Sequence, residues 1–241
     1  MAIRTPMAAR AELPPLTPWP DFLADFRWEQ GEHISFIGST GGGKTTLARE
    51  ILSRRTFVVA CGTKPEDDSL IKLRTEGDFV LKRDFPFPPL EFAPHILFWP
   101  HATRVEDLAK HRAKFQHLFT SVYQDGGWTI YLDELRYFTD AKYLRLGSWA
   151  ELFWLQGRSI GISLVAGTQR PAWVPLAAYS EPTHLFLWRN SDASNIRRLR
   201  EIGGVNGREV QSILEQLPSH DVLYVNTRNG ELIRTNTKGG N

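Results

Sequence analysis

Among 241 residues there is one cysteine, Cys61. A single thiol excludes an intramolecular disulfide and a cysteine-rich zinc site, and it suits a reducing compartment. No apolar run approaches the roughly 18 residues that a membrane span requires. The N-terminus carries arginines but no continuous apolar stretch, so no secretory signal is expected either. There is no surplus of one charge: 29 Lys and Arg face 27 Asp and Glu, a formal net charge of +2. That balance argues neither for nor against a nucleic-acid partner. No internal repeat is visible. What remains, 41% hydrophobic and 23% charged residues, is an ordinary globular composition. The length suits one large α/β domain with a substantial core and leaves no room for a second of ordinary size.

Against this plain background one octet stands out, Gly38-Ser39-Thr40-Gly41-Gly42-Gly43-Lys44-Thr45. It fits G-x-x-x-x-G-K-[ST], the phosphate-binding P-loop. His33–Ile37 before it reads as a short buried strand, and Thr46–Leu52 after it as the first turns of a helix. In that setting glycines let backbone N–H groups turn inward around a phosphate, and the helix N-terminus favours the anion. Gly38 to Thr46 would cradle the phosphates of a nucleotide. Lys44 would bridge the β- and γ-phosphates, and the Thr45 hydroxyl would hold Mg²⁺.

Strand-like and helix-like segments alternate along the rest of the chain. Residues 1–20 carry five prolines and no regular period, which suggests an extended arm; the arm is expected over 1–27 and the domain proper over 28–241. Further strands are expected at 56–60, 95–99, 128–132, 161–167 and 184–188. Helices are expected at 105–123, 146–156, 192–202 and 207–217, with a polar loop at 63–68. The end, 221–225 and 231–234 around Asn229-Gly230, reads as a β-hairpin. This alternation implies a mainly parallel sheet covered on both faces by helices. Trp149, Trp154 and Trp188 sit where core positions fall, and are assigned to packing.

Two strand ends carry chemistry. Ile130-Tyr131-Leu132 runs into Asp133-Glu134; beside a P-loop, Asp133 would support the Mg²⁺ shell and Glu134 would orient or deprotonate the attacking water. Gln169, after the strand 161–167, could touch both a γ-phosphate and that water. The missing Asn-Lys-x-Asp motif disfavours guanine as the base.

The order of P-loop, Leu132-Asp133-Glu134-Leu135, Gln156-Gly157-Arg158-Ser159-Ile160-Gly161-Ile162 and Thr168-Gln169-Arg170-Pro171 resembles the FtsK–HerA superfamily of DNA-pumping ATPases. Ser191-Asp192-Ala193-Ser194 followed by Ile202-Gly203-Gly204 resembles the family's later segment, so the likeness spans roughly 30–205. It implies a P-loop NTPase fold of the RecA-like, additional-strand type, ATP and Mg²⁺ as ligands, and a homo-oligomeric ring, usually a hexamer. It implies double-stranded DNA as the partner, and makes Arg158 the first candidate for an arginine finger reaching a neighbour's nucleotide, Arg170 the second. The chain lacks the membrane anchor and winged-helix tail of larger members, and in size is most similar to viral genome-packaging ATPases. That setting implies a host-cytoplasm or virion-vertex location, with a capsid-vertex or membrane protein as a further partner. DNA contact would fall to Arg197, Arg198 and Arg200 on one helix, with Arg189 and Arg208 nearby. A filamentous-virus assembly ATPase, a nucleotide-gated binding module and a small-substrate kinase remain as other readings of the same motifs.

Overall fold

The computed structural model describes residues 10–39, 41–87, 93–100, 105–190 and 192–237. Among the described residues ten strands form one sheet: β1 (Leu16–Thr17), β2 (Ile34–Ile37), β3 (Val58–Cys61), β4 (Val80–Lys82), β5 (His95–Phe98), β6 (Thr129–Leu132), β7 (Ser163–Thr168), β8 (His184–Trp188), β9 (Asp221–Asn226) and β10 (Leu232–Asn236). Their spatial order is β1-β10-β9-β8-β2-β7-β6-β3-β5-β4. Only the β8–β9 and β9–β10 pairings are antiparallel, so β9 alone runs against the others. The strand ending in the acidic pair, β6, does not touch the P-loop strand β2; β7 stands between them. This is the additional-strand arrangement of P-loop NTPases.

The strands are apolar on successive positions because both faces are covered. Val59, Ile130, Leu132, Leu164 and Ala166 face one hydrophobic cluster, while Val58, Ala60, Tyr131 and Val165 face the other. The first cluster is completed by α4 (Leu108–Asp125) through Phe115 and Phe119, α5 (Leu135–Thr139) through Phe138, α6 (Gly147–Gln156) through Phe153, and α9 (Gly207–Gln216) through Ile213. The second is completed by α1 (Trp19–Asp25), α2 (Lys44–Leu52) and α3 (Asp68–Glu76). Burying each such phenylalanine or leucine contributes about 1.5–3 kcal/mol. Two short helices, α7 (Ala177–Ser180) and α8 (Ala193–Leu199), flank β8.

Residues 1–9 of the expected arm lie outside the described residues. Its remainder contains β1, which pairs in parallel with β10, and α1, which buries Trp19 and Phe22. The polar loop expected at 63–68 ends one residue inside α3: Asp67 caps that helix, accepting from the Ser69 and Leu70 N–H groups at 3.0 and 3.3 Å. The C-terminal hairpin forms as expected, with Gly230 at φ +77° in its turn. Trp154 and Trp188 are buried and Trp149 packs partly buried against the core. Trp173 departs from that pattern, being 48% exposed.

Candidate functional site

Parallel strands bring their carboxyl ends to one edge, and in open α/β sheets ligands collect there. The P-loop follows β2, Asp133 follows β6, Gln169 follows β7 and Lys64 follows β3. Gly38 N–H donates to Thr168 O at 3.1 Å, extending the β2–β7 ladder into the loop and setting Gln169 beside it. Gly41, Gly43, Lys44, Thr45, Thr46, Lys64, Asp67, Ser69, Asp133 and Gln169 surround a cavity of about 250 Å³.

The loop's backbone needs its glycines. Gly43 stands at φ +103° as the N-cap of α2, and a Cβ there would also lie 2.6 Å from Thr237 Oγ1. No side chain caps α2, so its first N–H groups are left for an anion. Lys44 Nζ donates to the Gly38 and Ser39 carbonyls at 2.7 and 2.8 Å. Burial pushes its pKa down to about 8, opposed by Asp133 and Glu134. Thr40 lies outside the described residues, as does Ser191.

Asp133 is held from three sides. Its Oδ1 accepts from the Tyr131 hydroxyl at 2.7 Å and, more loosely, from Thr45 Oγ1 at 3.4 Å. Its Oδ2 accepts from Lys64 Nζ at 3.1 Å. Burial, then the Asp133 charge, lifts the Tyr131 pKa well above the usual phenol value, which keeps it a donor. Lys64 also donates to Asp67 Oδ2 at 2.6 Å. Burial works against the Lys64 ammonium, but Asp133 and Asp67 together hold its pKa above the ordinary value. Glu134 is raised above the usual carboxylate range, first by burial and then by Asp133, although Lys44 and Lys64 pull it down. A half-buried carboxyl raised in this way is suited to proton transfer.

A larger hollow of about 370 Å³ lies on the P-loop's other flank, beside Ser39, Trp188, Arg189 and His220. Its one carboxylate, Asp221, is already engaged by Arg234 at 2.6 Å and Asn236 at 2.7 Å. The smaller cavity therefore gathers Lys44, Thr45, Asp133 and Gln169, whereas Glu134, the next residue after Asp133, is not part of its lining. Among the described residues no group of three or more His, Cys, Asp or Glu is gathered for a metal. Thr45 and Asp133 carry hard oxygen atoms of the kind that Mg²⁺ takes.

Arg158 lies elsewhere. It is exposed in the turn Gly157–Ile160 and packs against Gly31, before β2, at the amino edge of the sheet. The six residues of β7 separate it from Gln169, about 20 Å at ~3.3 Å per residue, beyond a side chain's reach. Arg170 is at the carboxyl edge, 4.6 Å from the Trp173 ring centre; Arg136 lies 3.7 Å from the same ring. Of the arginines named for DNA, Arg198 pairs with Glu201 at 2.7 Å and Arg200 donates to Gln211 at 2.6 Å. Arg189, Arg197 and Arg208 are exposed. Lys64 and Tyr131 are the site members that motif reading missed. Tyr131 stands two residues before Asp133 in the strand already singled out, but no motif letter marks it; Lys64 belongs to no signature, and only the pairing of β3 with β6 brings it to Asp133.

No family model and no curated protein sequence matches the chain. Solved structures do. B204, the DNA-packaging ATPase from Sulfolobus turreted icosahedral virus, superposes with a TM-score of 0.61 at 10% identity, over 86% of this chain and 98% of that one. The genome-packaging NTPase B204 from Sulfolobus turreted icosahedral virus 2, in complex with ATP-gammaS, gives 0.59 at 10% identity, again over 86% and 98%. Thermomonospora curvata EccC (ATPases 2 and 3), in complex with a signal sequence peptide, gives 0.54 at 14% identity, over 90% of this chain and 37% of that one. The likeness is one of fold: the fold implied by the motif order is the fold of these NTPases.

Proposed function

We propose that the chain is an ATP-hydrolysing motor of the FtsK–HerA kind that moves double-stranded DNA, with viral genome packaging as its setting. The observation that carries this reading is the gathering of Lys44, Thr45, Asp133 and Gln169 around one cavity, on a fold shared with packaging NTPases. A relative of that fold solved with ATP-gammaS supports ATP as the ligand.

In this reading the amides of Gly41 to Thr46 and the Lys44 ammonium bind the β- and γ-phosphates. Thr45 and Asp133 would hold Mg²⁺, which would supply neutralisation of phosphate charge. Glu134 takes a proton from the attacking water as its oxygen bonds to the γ-phosphorus, and the bond to the bridging oxygen breaks, releasing ADP. Gln169 orients that water and senses the γ-phosphate. Arg158, set at the far edge, acts on a neighbouring subunit's nucleotide, which makes a closed ring, a hexamer by family resemblance, the working form. The exposed Arg189, Arg197 and Arg208 supply sequence-independent phosphate contacts, multiplied around the ring. A capsid-vertex or membrane protein is the docking partner, at the virion vertex or in the host cytoplasm.

The test is ATP turnover with and without duplex DNA, alongside the mass of the nucleotide-bound oligomer. Stimulation by duplex regardless of sequence, lost as salt is raised, is the expected result. Stimulation by a protein partner and indifference to DNA would favour an assembly or secretion ATPase instead.

A further inference from the structure

The motif-based account of the site leaves Lys64 unused, yet its ammonium sits inside the catalytic cavity. It bridges two carboxylates: Asp133 Oδ2 at 3.1 Å and Asp67 Oδ2 at 2.6 Å. Tyr131, fully buried, fixes the other oxygen of Asp133 with its hydroxyl at 2.7 Å. Lys64 thus neutralises the Asp133 carboxylate from Oδ2, while Thr45 Oγ1 approaches the same carboxylate at Oδ1, 3.4 Å away.

We propose that Lys64 is a displaceable counter-cation of the metal carboxylate: it holds Asp133 until Mg²⁺ and nucleotide enter, and then retreats onto Asp67. Three features make the exchange feasible. The side chain is 46% exposed, so it is not locked by packing. Its backbone is anchored, because Trp99 Nε1 donates to the Lys64 carbonyl at 2.7 Å, so a change is confined to the side chain. Its shorter contact is with Asp67, so leaving Asp133 does not strand the charge. Asp67 is in turn fixed through its other oxygen, which caps α3. An ammonium and a divalent cation on the same carboxylate repel each other, which favours withdrawal of the more weakly held one.

A static role makes the opposite forecast. If Lys64 merely positions Asp133, removing it leaves metal binding unchanged or weaker. If it competes, removing it tightens metal binding.

The inference rests on the nucleotide-site reading above, and the experiment separates the two. Mn²⁺ is titrated into the full-length protein saturated with ADP, with free Mn²⁺ followed by electron paramagnetic resonance. The variants are Lys64→Met, Lys64→Arg and Asp67→Asn, each checked by thermal melting. Lys64→Met should tighten Mn²⁺ binding about fivefold, the ratio expected from losing one partly exposed ion pair as competitor. Lys64→Arg should stay within about twofold of wild type, since it keeps the cation. Asp67→Asn retains a capping oxygen for α3 but removes the retreat, and should weaken Mn²⁺ binding. Unchanged or weaker binding in a folded Lys64→Met protein would overturn the proposal. Should that variant fail to fold, wild-type Mn²⁺ affinity in Asp67→Asn would overturn it. Wild-type protein that takes up no Mn²⁺ with ADP would overturn the nucleotide-site reading as well.

Discussion

Replacing Gly167 by alanine should force apart the two strands that carry the candidate site. Gly167 lies in β7 with an ordinary strand backbone, so any penalty is one of space and not of conformation. A Cβ built there lies 2.4 Å from the Asp133 carbonyl oxygen and 3.3 Å from its carbon. The closest comfortable carbon–oxygen approach is about 3.3 Å, so β6 and β7 must separate by roughly 0.9 Å at this point. The obstacle is backbone, paired next door through Leu132 and Ala166, both buried. Overpacking of this kind costs about 1–3 kcal/mol. In a domain of this size each kcal/mol shifts Tm by about 2–4 °C, so melting should fall by roughly 2–12 °C. The group displaced is Asp133 itself, so the Mg²⁺ needed for nucleotide binding should rise as well. Differential scanning calorimetry with and without Mg²⁺ and ADP measures both effects. Gly203→Ala is the control, because its nearest neighbour would be Ser180 O at an ordinary 3.7 Å. A Gly167→Ala protein with wild-type melting and wild-type Mg²⁺ requirement would refute the reasoning.

Other consequences can be checked alongside. Lys44→Ala should abolish nucleotide binding, read by fluorescent-ADP titration; binding within about twofold of wild type would contradict the role given to the ammonium. Glu134→Gln should retain ATP while hydrolysis falls about 10²- to 10⁴-fold, and a wild-type rate would remove Glu134 as the base. Arg158→Ala should bind ATP normally and hydrolyse it poorly, with activity partly restored in mixed rings by Lys44→Ala subunits that keep Arg158; no rescue in rings shown to mix would shift attention to Arg170. Acid should destabilise the fold through His33, which burial lowers to about 4 and whose Nδ1 accepts the Leu164 N–H at 3.0 Å. Between the unfolded pKa near 6.5 and that value the unfolded chain takes a proton that the folded ring refuses. Stability from this group is therefore complete above about pH 6.5 and declines by roughly 3 kcal/mol as pH falls to 4. Urea melts at pH 7 and 4.5 should show a smaller loss in His33→Gln than in wild type; equal losses would exclude His33 as the cause.

The P-loop and the Asp133-Glu134 pair lie at the carboxyl edge, where each was legible because its chemistry requires contiguous letters; Arg158, named from the same motifs, lies at the opposite edge. A phosphate cradle needs its glycines, lysine and hydroxyl in one loop, and the acidic pair needs a buried strand to end at one place. Such constraints are written locally. The insertion of β7 between β2 and β6 is not, since strand order comes from which faces pack. The helix α1 was obscured by Pro14, Pro15, Pro18 and Pro20, although Trp19, Phe22 and Phe26 have helical spacing and all face the core. The helix α3 buries only Leu70 and Leu73, too little apolar period to outweigh its polar surroundings. In the sequence Lys64 is one residue of a polar loop; its meaning depends on Asp133, 69 residues away.

The central claim, that ATP hydrolysis moves this protein along duplex DNA, is tested most directly by displacement of a third strand bound on a linear duplex. Wild-type protein with ATP and Mg²⁺ should release the third strand, with a delay that lengthens with its distance from the loading end. Glu134→Gln and wild type with a non-hydrolysable analogue should release none. Robust ATP hydrolysis on that same duplex, with no displacement at any distance, would contradict the account.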